Sequence, residues 1–329
     1  MKLCIKPYRR RFRQPLLTAH GYWQWRQGLL VRLEDRAGRV GLGEIAPIPW
    51  FGSETLAEAE AFCRGVSTPI TDRPLIPDTL TATQFGLGTA FEQLQTHTPM
   101  TSVQNPQPSG LCGLLPTGEP ALTAWPILWR QGTRTFKWKI GVAPVIEEIA
   151  LLETLIQALP AQGRLRLDAN GGLNLEEAES WLSVCDRLNA SAAMATVEYL
   201  EQPLPPSQTE LMRQLGQRFR TTIALDESVA TVAKLETQYR QGWRGIAVVK
   251  PTITGDPNRL RQFWQHYSPQ LAFSSAFETG VGRQAALALA AEYTQQVAPL
   301  PPLALGFGTL GWFDDDWDTL TPAQLWDNL

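Results

Sequence analysis

Five short stretches of this chain hold the residues best suited to chemistry. Thr135-Phe136-Lys137-Trp138-Lys139 places two lysines one residue apart in a run that otherwise reads as a buried strand. Residues i and i+2 of a strand share a face, so both ammonium groups look into one space, where burial without partners would cost a great deal. Farther on, three acids each close an apolar run: Asp168 in Arg-Leu-Asp-Ala-Asn, Glu201 in Tyr-Leu-Glu-Gln-Pro and Asp226 in Leu-Asp-Glu-Ser. A further lysine, Lys250, closes Val-Val-Lys-Pro-Thr. Converging carboxylates repel one another and take up protons unless a cation joins them. A hard divalent ion answers that need: Mg²⁺ takes oxygen ligands and keeps positions for water or substrate, and Mn²⁺ shares the preference. Any one acid at a strand end ordinarily caps a helix or bonds a loop. Three on successive strands, with lysines on both sides, is a pattern that stability alone does not demand.

The elements that must position these residues follow a regular beat. Apolar runs at 111–115, 135–140, 165–168, 196–201, 222–226, 245–250, 270–274 and 303–305 alternate with helical stretches. Repeated βα units predict a parallel sheet, and eight of them predict a (β/α) barrel; no glycine-rich nucleotide fingerprint follows the first. Active sites of such barrels lie at the carboxyl ends of the strands, where all these acids and lysines fall. Strand parity sorts their neighbours. Glu198 and Glu201 differ by three, so only one faces the axis; Asp226 and Glu227 are adjacent and likewise diverge. Glu201 and Asp226, nearest the strand ends, are expected inward. Arg166 shares the parity of Asp168 and could meet a substrate carboxylate. Asn170, Ser274 and Ser275 are candidate substrate contacts, and Gly306 and Gly308 would let a ligand approach the backbone.

Before the barrel, residues 1 to about 50 read as strands, with a hairpin from 28–33 and 39–44 turning at Glu34-Asp35-Arg36-Ala37-Gly38. His20–Trp25 reads as an aromatic loop, and Pro47–Gly52 as too proline-rich for a regular element. Both could close over the site and exclude water, through Trp23 and Phe51, although packing between domains is an equal use for such rings. Helices are expected over 56–66 and 81–94. The polar, proline-rich 96–109 reads as a linker, dividing a domain over 1–108 from a barrel over 109–306; the acidic, tryptophan-rich 307–329 is expected to pack back on the first domain.

Composition narrows the field. A net charge of −3 gives no electrostatic case for nucleic acid. No segment has the length or apolarity of a membrane helix, no apolar stretch after the basic start forms a signal peptide, and four scattered cysteines suggest reduced thiols. The expectation is a cytoplasmic monomer or small homo-oligomer. The histidines, His20, His97 and His266, avoid the strand ends, which argues against a His-ligated zinc or iron centre.

Together, Lys-x-Lys, Leu-Asp-Ala-Asn, Leu-Glu-Gln-Pro, Leu-Asp-Glu-Ser and Val-Val-Lys-Pro-Thr resemble the enolase superfamily in its muconate-lactonizing-enzyme-like branch. Gly41-Leu-Gly-Glu-Ile-Ala-Pro47 with Ser53-Glu-Thr55, Lys250-Pro-Thr-Ile-Thr-Gly255 and Ser274-Ser-Ala-Phe-Glu278 are similar to o-succinylbenzoate synthases in particular. The resemblance implies an α/β fold: a modified TIM barrel, (β/α)₇β, with an α+β capping domain formed by the N-terminal region and the C-terminal tail. It implies Mg²⁺ held by Asp168, Glu201 and Asp226, and removal of a proton α to a carboxylate to give an enediolate. Lys139 would be the base and Lys137 the neighbouring cation that helps keep it deprotonated. Lys250 would remain cationic over the opposite face. The implied reaction is syn dehydration of 2-succinyl-6-hydroxy-2,4-cyclohexadiene-1-carboxylate to 2-succinylbenzoate, in menaquinone or phylloquinone biosynthesis. N-acylamino acid racemases, dipeptide epimerases and cycloisomerases are the alternative. The Asp-x-Asp of dipeptide epimerases is missing here, since no acid follows Leu305-Gly306-Phe307-Gly308 until Asp314.

Overall fold

The computed structural model describes residues 1–18, 20–67, 69–96, 106–191, 194–297 and 302–329. The chain opens with three strands, β1 (Lys2–Thr18), β2 (Gly21–Glu34) and β3 (Val40–Ile45), and two helices, α1 (Leu56–Gly65) and α2 (Thr81–Thr96). Then come β4 (Cys112–Leu114), α3 (Ala121–Arg130), β5 (Thr135–Lys139), α4 (Val145–Ala158), β6 (Arg164–Asp168), α5 (Leu175–Asn189) and β7 (Thr196–Glu201). The rest are α6 (Thr209–Arg218), β8 (Ile223–Leu225), α7 (Val232–Arg240), β9 (Ile246–Val249), α8 (Pro251–Thr254), α9 (Pro257–Tyr267), β10 (Leu271–Phe273), α10 (Gly280–Gln296) and α11 (Pro322–Asn328).

Strands β4 to β10 form a parallel sheet in sequence order. Residues 305 and 306 close it, bridging Leu111 on one side and Ser274 on the other. Strands buried on both faces read as near-continuous apolar runs, which is why the sequence beat was legible. Inside the ring, Tyr199, Ala224, Ile246, Val248 and Ala272 fill the space below the acids; outside, the helices cover the main core. The fold is the modified TIM barrel with its antiparallel cap. Among the described residues no helix is long and apolar enough to cross a membrane.

The cap sheet runs in the order β1-β2-β3. Alternation sorts its faces: Leu29, Val31 and Leu33 pack under α1 and α2, whereas Tyr8, Leu30 and Leu42 pack toward α10 and α11. Helix α2 is buried nearly all round and lies close on β3, because Gly41 faces the Ala90 carbonyl and Gly43 the Gly86 carbonyl. The tail returns to β1: the Arg13 amide donates to the Trp312 carbonyl, and buried Arg10 pairs with Asp315 and Asp318.

Two expectations need correction. Gly21–Trp25 is not a loop but the first part of β2, with Tyr22 and Trp23 opposite Leu17 and Leu16. A register shift between Arg11 and Leu16 absorbs the mismatch, and aromatic side chains suit a paired strand. Within Pro47–Gly52, Pro49–Phe51 forms a single 3₁₀ turn closed by Gly52 at φ +111°. Most of the expected 96–109 linker, and His97 with it, lies outside the described residues.

Candidate active site

Register alone brings the strand-end residues to one level. Lys139 pairs with Asp168 across β5 and β6, and Asp168 with Glu201 across β6 and β7. Asp226 and Lys250 follow directly on the ends of β8 and β9. All three carboxylates are buried, at 5%, 1% and 3% exposure for Asp168, Glu201 and Asp226.

Two of the three lysines are committed to these acids. Lys137 Nζ lies 2.7 Å from Asp168 Oδ2 and donates to Glu201 Oε1 at 2.8 Å. Lys250 Nζ bonds both oxygens of Asp226. Among the described residues Lys139 has no hydrogen-bond or ion-pair partner, and it is half-buried at the same rim. Burial pushes the Glu201 carboxyl up, and nearby Asp168 adds to the push; burial likewise raises Asp226 despite Lys250 beside it. Burial opposes charge on Lys137, but Asp168, Glu201 and Asp226 outweigh it and hold the ammonium firmly protonated.

Local sequence explains why the rim is held. Gln202 follows Glu201 at φ +37° and is wholly buried. Its amide oxygen accepts from the Asp226 and Ser228 amides, and its Nε2 donates to Ser228 Oγ and the Leu204 carbonyl. It therefore latches the strand end carrying Glu201 to the one carrying Asp226. Glu148 does comparable work after Lys139, accepting from the amides of Gly141, Val142 and Ala143 at 2.7, 3.0 and 3.1 Å. Neither role was read from sequence, although an amide side chain directly after an inward acid was the available signal.

The remaining candidates divide. Asn170, at φ +44°, bonds Asp168 through its amide and side chain and reaches Glu227 Oε1, so it belongs to the rim. Phe51 comes from the cap and sets its ring 4.0 Å from Lys250 Nζ. Trp23 joins an aromatic group with Phe12, Trp50 and Phe277. Ser274 Oγ stands 3.5 Å from the Gly306 carbonyl. Ser275 is turned away, its hydroxyl donating to Glu278. Arg166 does not join the rim: it sits a layer lower, with Nε on Glu198 at 2.6 Å and Nη1 on the Ala304 carbonyl. The parity argument about Glu198 and Glu201 fails for a physical reason. A register shift between Leu165 and Arg166 inserts one extra residue of β7, so Glu198 reaches Arg166 while Glu201 keeps the rim. Gly306 likewise serves closure of the barrel, since a Cβ there would meet Ser274 Oγ at 2.7 Å.

The donor set suits a divalent cation. It consists of carboxylate oxygens only, buried and mutually repelling, with ammonium groups already drawn against them. In this arrangement no three acidic, histidine or cysteine side chains among the described residues close on one point.

The chain matches two families, one described as "Enolase C-terminal domain-like" over residues 125–300 and one as "MenC, N-terminal domain" over residues 9–94. An o-succinylbenzoate synthase of Thermosynechococcus vestitus is 39% identical over 328 residues, covering 98% of this chain and 97% of that one. One of Pectobacterium atrosepticum is 31% identical, covering 83% and 81%. A crystal structure of the o-succinylbenzoate synthase from Thermosynechococcus elongatus, complexed with magnesium in its active site, superposes with a TM-score of 0.89 at 38% identity over the whole of both chains. A muconate lactonizing enzyme from Pseudomonas fluorescens shares the fold at a TM-score of 0.72 and 19% identity, covering 96% of this chain and 89% of that one. By its barrel, its cap and its extent of identity, the chain belongs to the o-succinylbenzoate synthases of the enolase superfamily.

Proposed function

We propose that this chain is a hydro-lyase converting 2-succinyl-6-hydroxy-2,4-cyclohexadiene-1-carboxylate to 2-succinylbenzoate, a step of quinone biosynthesis. The observation that carries the assignment of roles is the division among the lysines: Lys137 and Lys250 are bound to carboxylates, and Lys139 is left with none among the described residues. Asp168, Glu201 and Asp226 would hold Mg²⁺ or Mn²⁺, which when bound supplies Lewis-acid stabilisation to the substrate carboxylate.

Lys139 takes the proton from the ring carbon bearing the carboxylate. The electron pair released forms the new ring double bond, and the C6–OH bond breaks. Lys139 then returns its proton to the departing hydroxyl, so that water and an aromatic ring result. One residue serves both transfers when the proton and the hydroxyl leave from one face. Lys250, held by Asp226, remains an ammonium ion and faces the developing anion. Lys137 stays bound between Asp168 and Glu201, a fixed positive charge beside Lys139. Phe51 covers Lys250 from the cap and keeps bulk water from it.

The test is direct. Purified protein with Mg²⁺ and the cyclohexadiene is followed by the ultraviolet change as the ring aromatises. Absence of turnover sinks the proposal. Exchange of the α-proton of N-succinylamino acids without dehydration would transfer the site to racemase chemistry.

A further inference from the structure

Arg26, on β2, is 1% exposed, and among the described residues its guanidinium bonds no carboxylate. Each of its acceptors among the described residues is a main-chain carbonyl. Nε donates to Ala276 at 3.0 Å, Nη1 to Pro47 at 2.8 Å and Gln27 at 3.0 Å, and Nη2 to Ala46. A buried cation hydrogen-bonded to carbonyls, its Cζ 5.6 Å from the Trp23 ring centroid, is an expensive way to stabilise a sheet. What it joins gives the expense a use. Ala46 and Pro47 lead into the Pro49–Phe51 turn that lays Phe51 against Lys250. Ala276 lies in the loop leaving β10, just beyond Ser274 and Ser275.

A second buried charge of the cap grips the same loop. Glu44, 0% exposed, accepts from the Thr279 amide at 2.9 and 3.0 Å and from the Gly282 amide at 2.9 Å. The loop is thus clasped at residue 276 by a cap cation and at residue 279 by a cap anion. Between them Phe277 stands at φ +60°, a backbone state that costs a bulky residue energy, with its ring against Phe12, Trp23 and Trp312.

We propose that Arg26 is a positioning residue for the reaction, fixing the Phe51 turn against the β10–α10 loop so that the Phe51 ring stays on Lys250. This rests on the reading of Lys250 as an active-site lysine. The planar fork of the guanidinium is what allows one group to bond three chain segments, and an ammonium cannot reproduce it.

The experiment combines steady-state kinetics with amide hydrogen exchange on the full chain. Arg26→Lys keeps the charge and is expected to raise KM about tenfold while kcat changes less than about threefold. Phe51→Leu should raise KM comparably, and the double variant should be no worse than the poorer single, because Arg26 acts through Phe51. Singles whose effects multiply would overturn the proposal. Glu54→Gln is the comparator. Its carboxylate caps α2 through the Ala82 and Thr83 amides within the cap, so it should lower stability without moving KM. Independently of turnover, Arg26→Lys should speed exchange at Phe51 and Gly52 together with Phe277 and Thr279; unchanged exchange at either segment overturns it. If Arg26→Lys does not fold, Ser53→Ala decides. The Ser53 hydroxyl holds the Ile48 amide at 2.6 Å, so its loss loosens the Phe51 turn alone. KM should then rise without faster exchange at 277–279, and an unchanged KM overturns the proposal. A wild type that exchanges as expected but does not turn over the diene refutes the proposed function and leaves exchange to judge Arg26.

Discussion

Replacing Gly43 by alanine should cost the cap most of its stability. A Cβ built there would lie 1.9 Å from the Gly86 carbonyl oxygen and 2.9 Å from its carbon, both main-chain atoms of α2 that cannot swing aside. Restoring an ordinary contact of 3.4 Å means opening the β3–α2 contact by about 1.5 Å. A gap of ~0.5–1 Å already forfeits a quarter to a half of each dispersion contact. Helix α2 buries Phe85, Leu87, Ala90, Phe91 and Leu94, and side chains of this kind contribute roughly 1.5–3 kcal/mol each when fully buried. Losing a third of that over the four large ones gives about 2–4 kcal/mol, a large part of the ~5–15 kcal/mol that holds a typical domain. The displacement would also carry Glu44, the next residue, away from the α10 amides. Urea unfolding of Gly43→Ala should be set against Gly65→Ala, where a Cβ meets nothing within 4 Å. Gly65→Ala should be neutral or slightly stabilising. If Gly43→Ala lies within about 1 kcal/mol of it, the packing argument is wrong.

Other outcomes follow from the same geometry. Lys139→Ala should fold normally and lose at least about 10³-fold in kcat, the scale of general acid–base catalysis; undiminished turnover would remove Lys139 from the mechanism. Chelation with EDTA should abolish turnover and Mg²⁺ should restore it. Mg²⁺ at ~100 times its Kd should also stabilise the wild type by about 2.7 kcal/mol but Asp226→Asn by much less, measured by thermal unfolding. Asp186 accepts from the Arg220 and Thr221 amides and the Thr221 hydroxyl; burial works against its charge, but these bonds outweigh it and hold the carboxyl below its usual range. A depressed folded pKa contributes stability above the unfolded value of ~3.9 and loses it as pH falls through the folded one. Asp186→Asn should therefore be about 1 kcal/mol less stable than wild type at pH 7, with the gap closing below about pH 3 in urea titrations at each pH.

The sequence by itself determined the barrel, its order and the level at which its acids and lysines meet. Those follow from local periodicities: a parallel strand buried on both faces is a short apolar run, and a polar residue ending it falls at the mouth. Hairpin, helices and tail return were legible for similar reasons. What it could not determine depends on contacts between residues far apart in the chain. The one-residue shift in β7 leaves no mark in the sequence, yet it turns Glu198 toward Arg166, which bonds it a layer below the rim. The strand character of Gly21–Trp25 comes from pairing with β1. Which lysine stands free of the carboxylates was decided only by the closed ring, which sets Lys137 between Asp168 and Glu201 and Lys250 on Asp226. The placing of Phe51 on Lys250 and the hold of Arg26 on three chain segments arise from the docking of cap on barrel. A hydrogen bond spanning 250 residues has no local period to read.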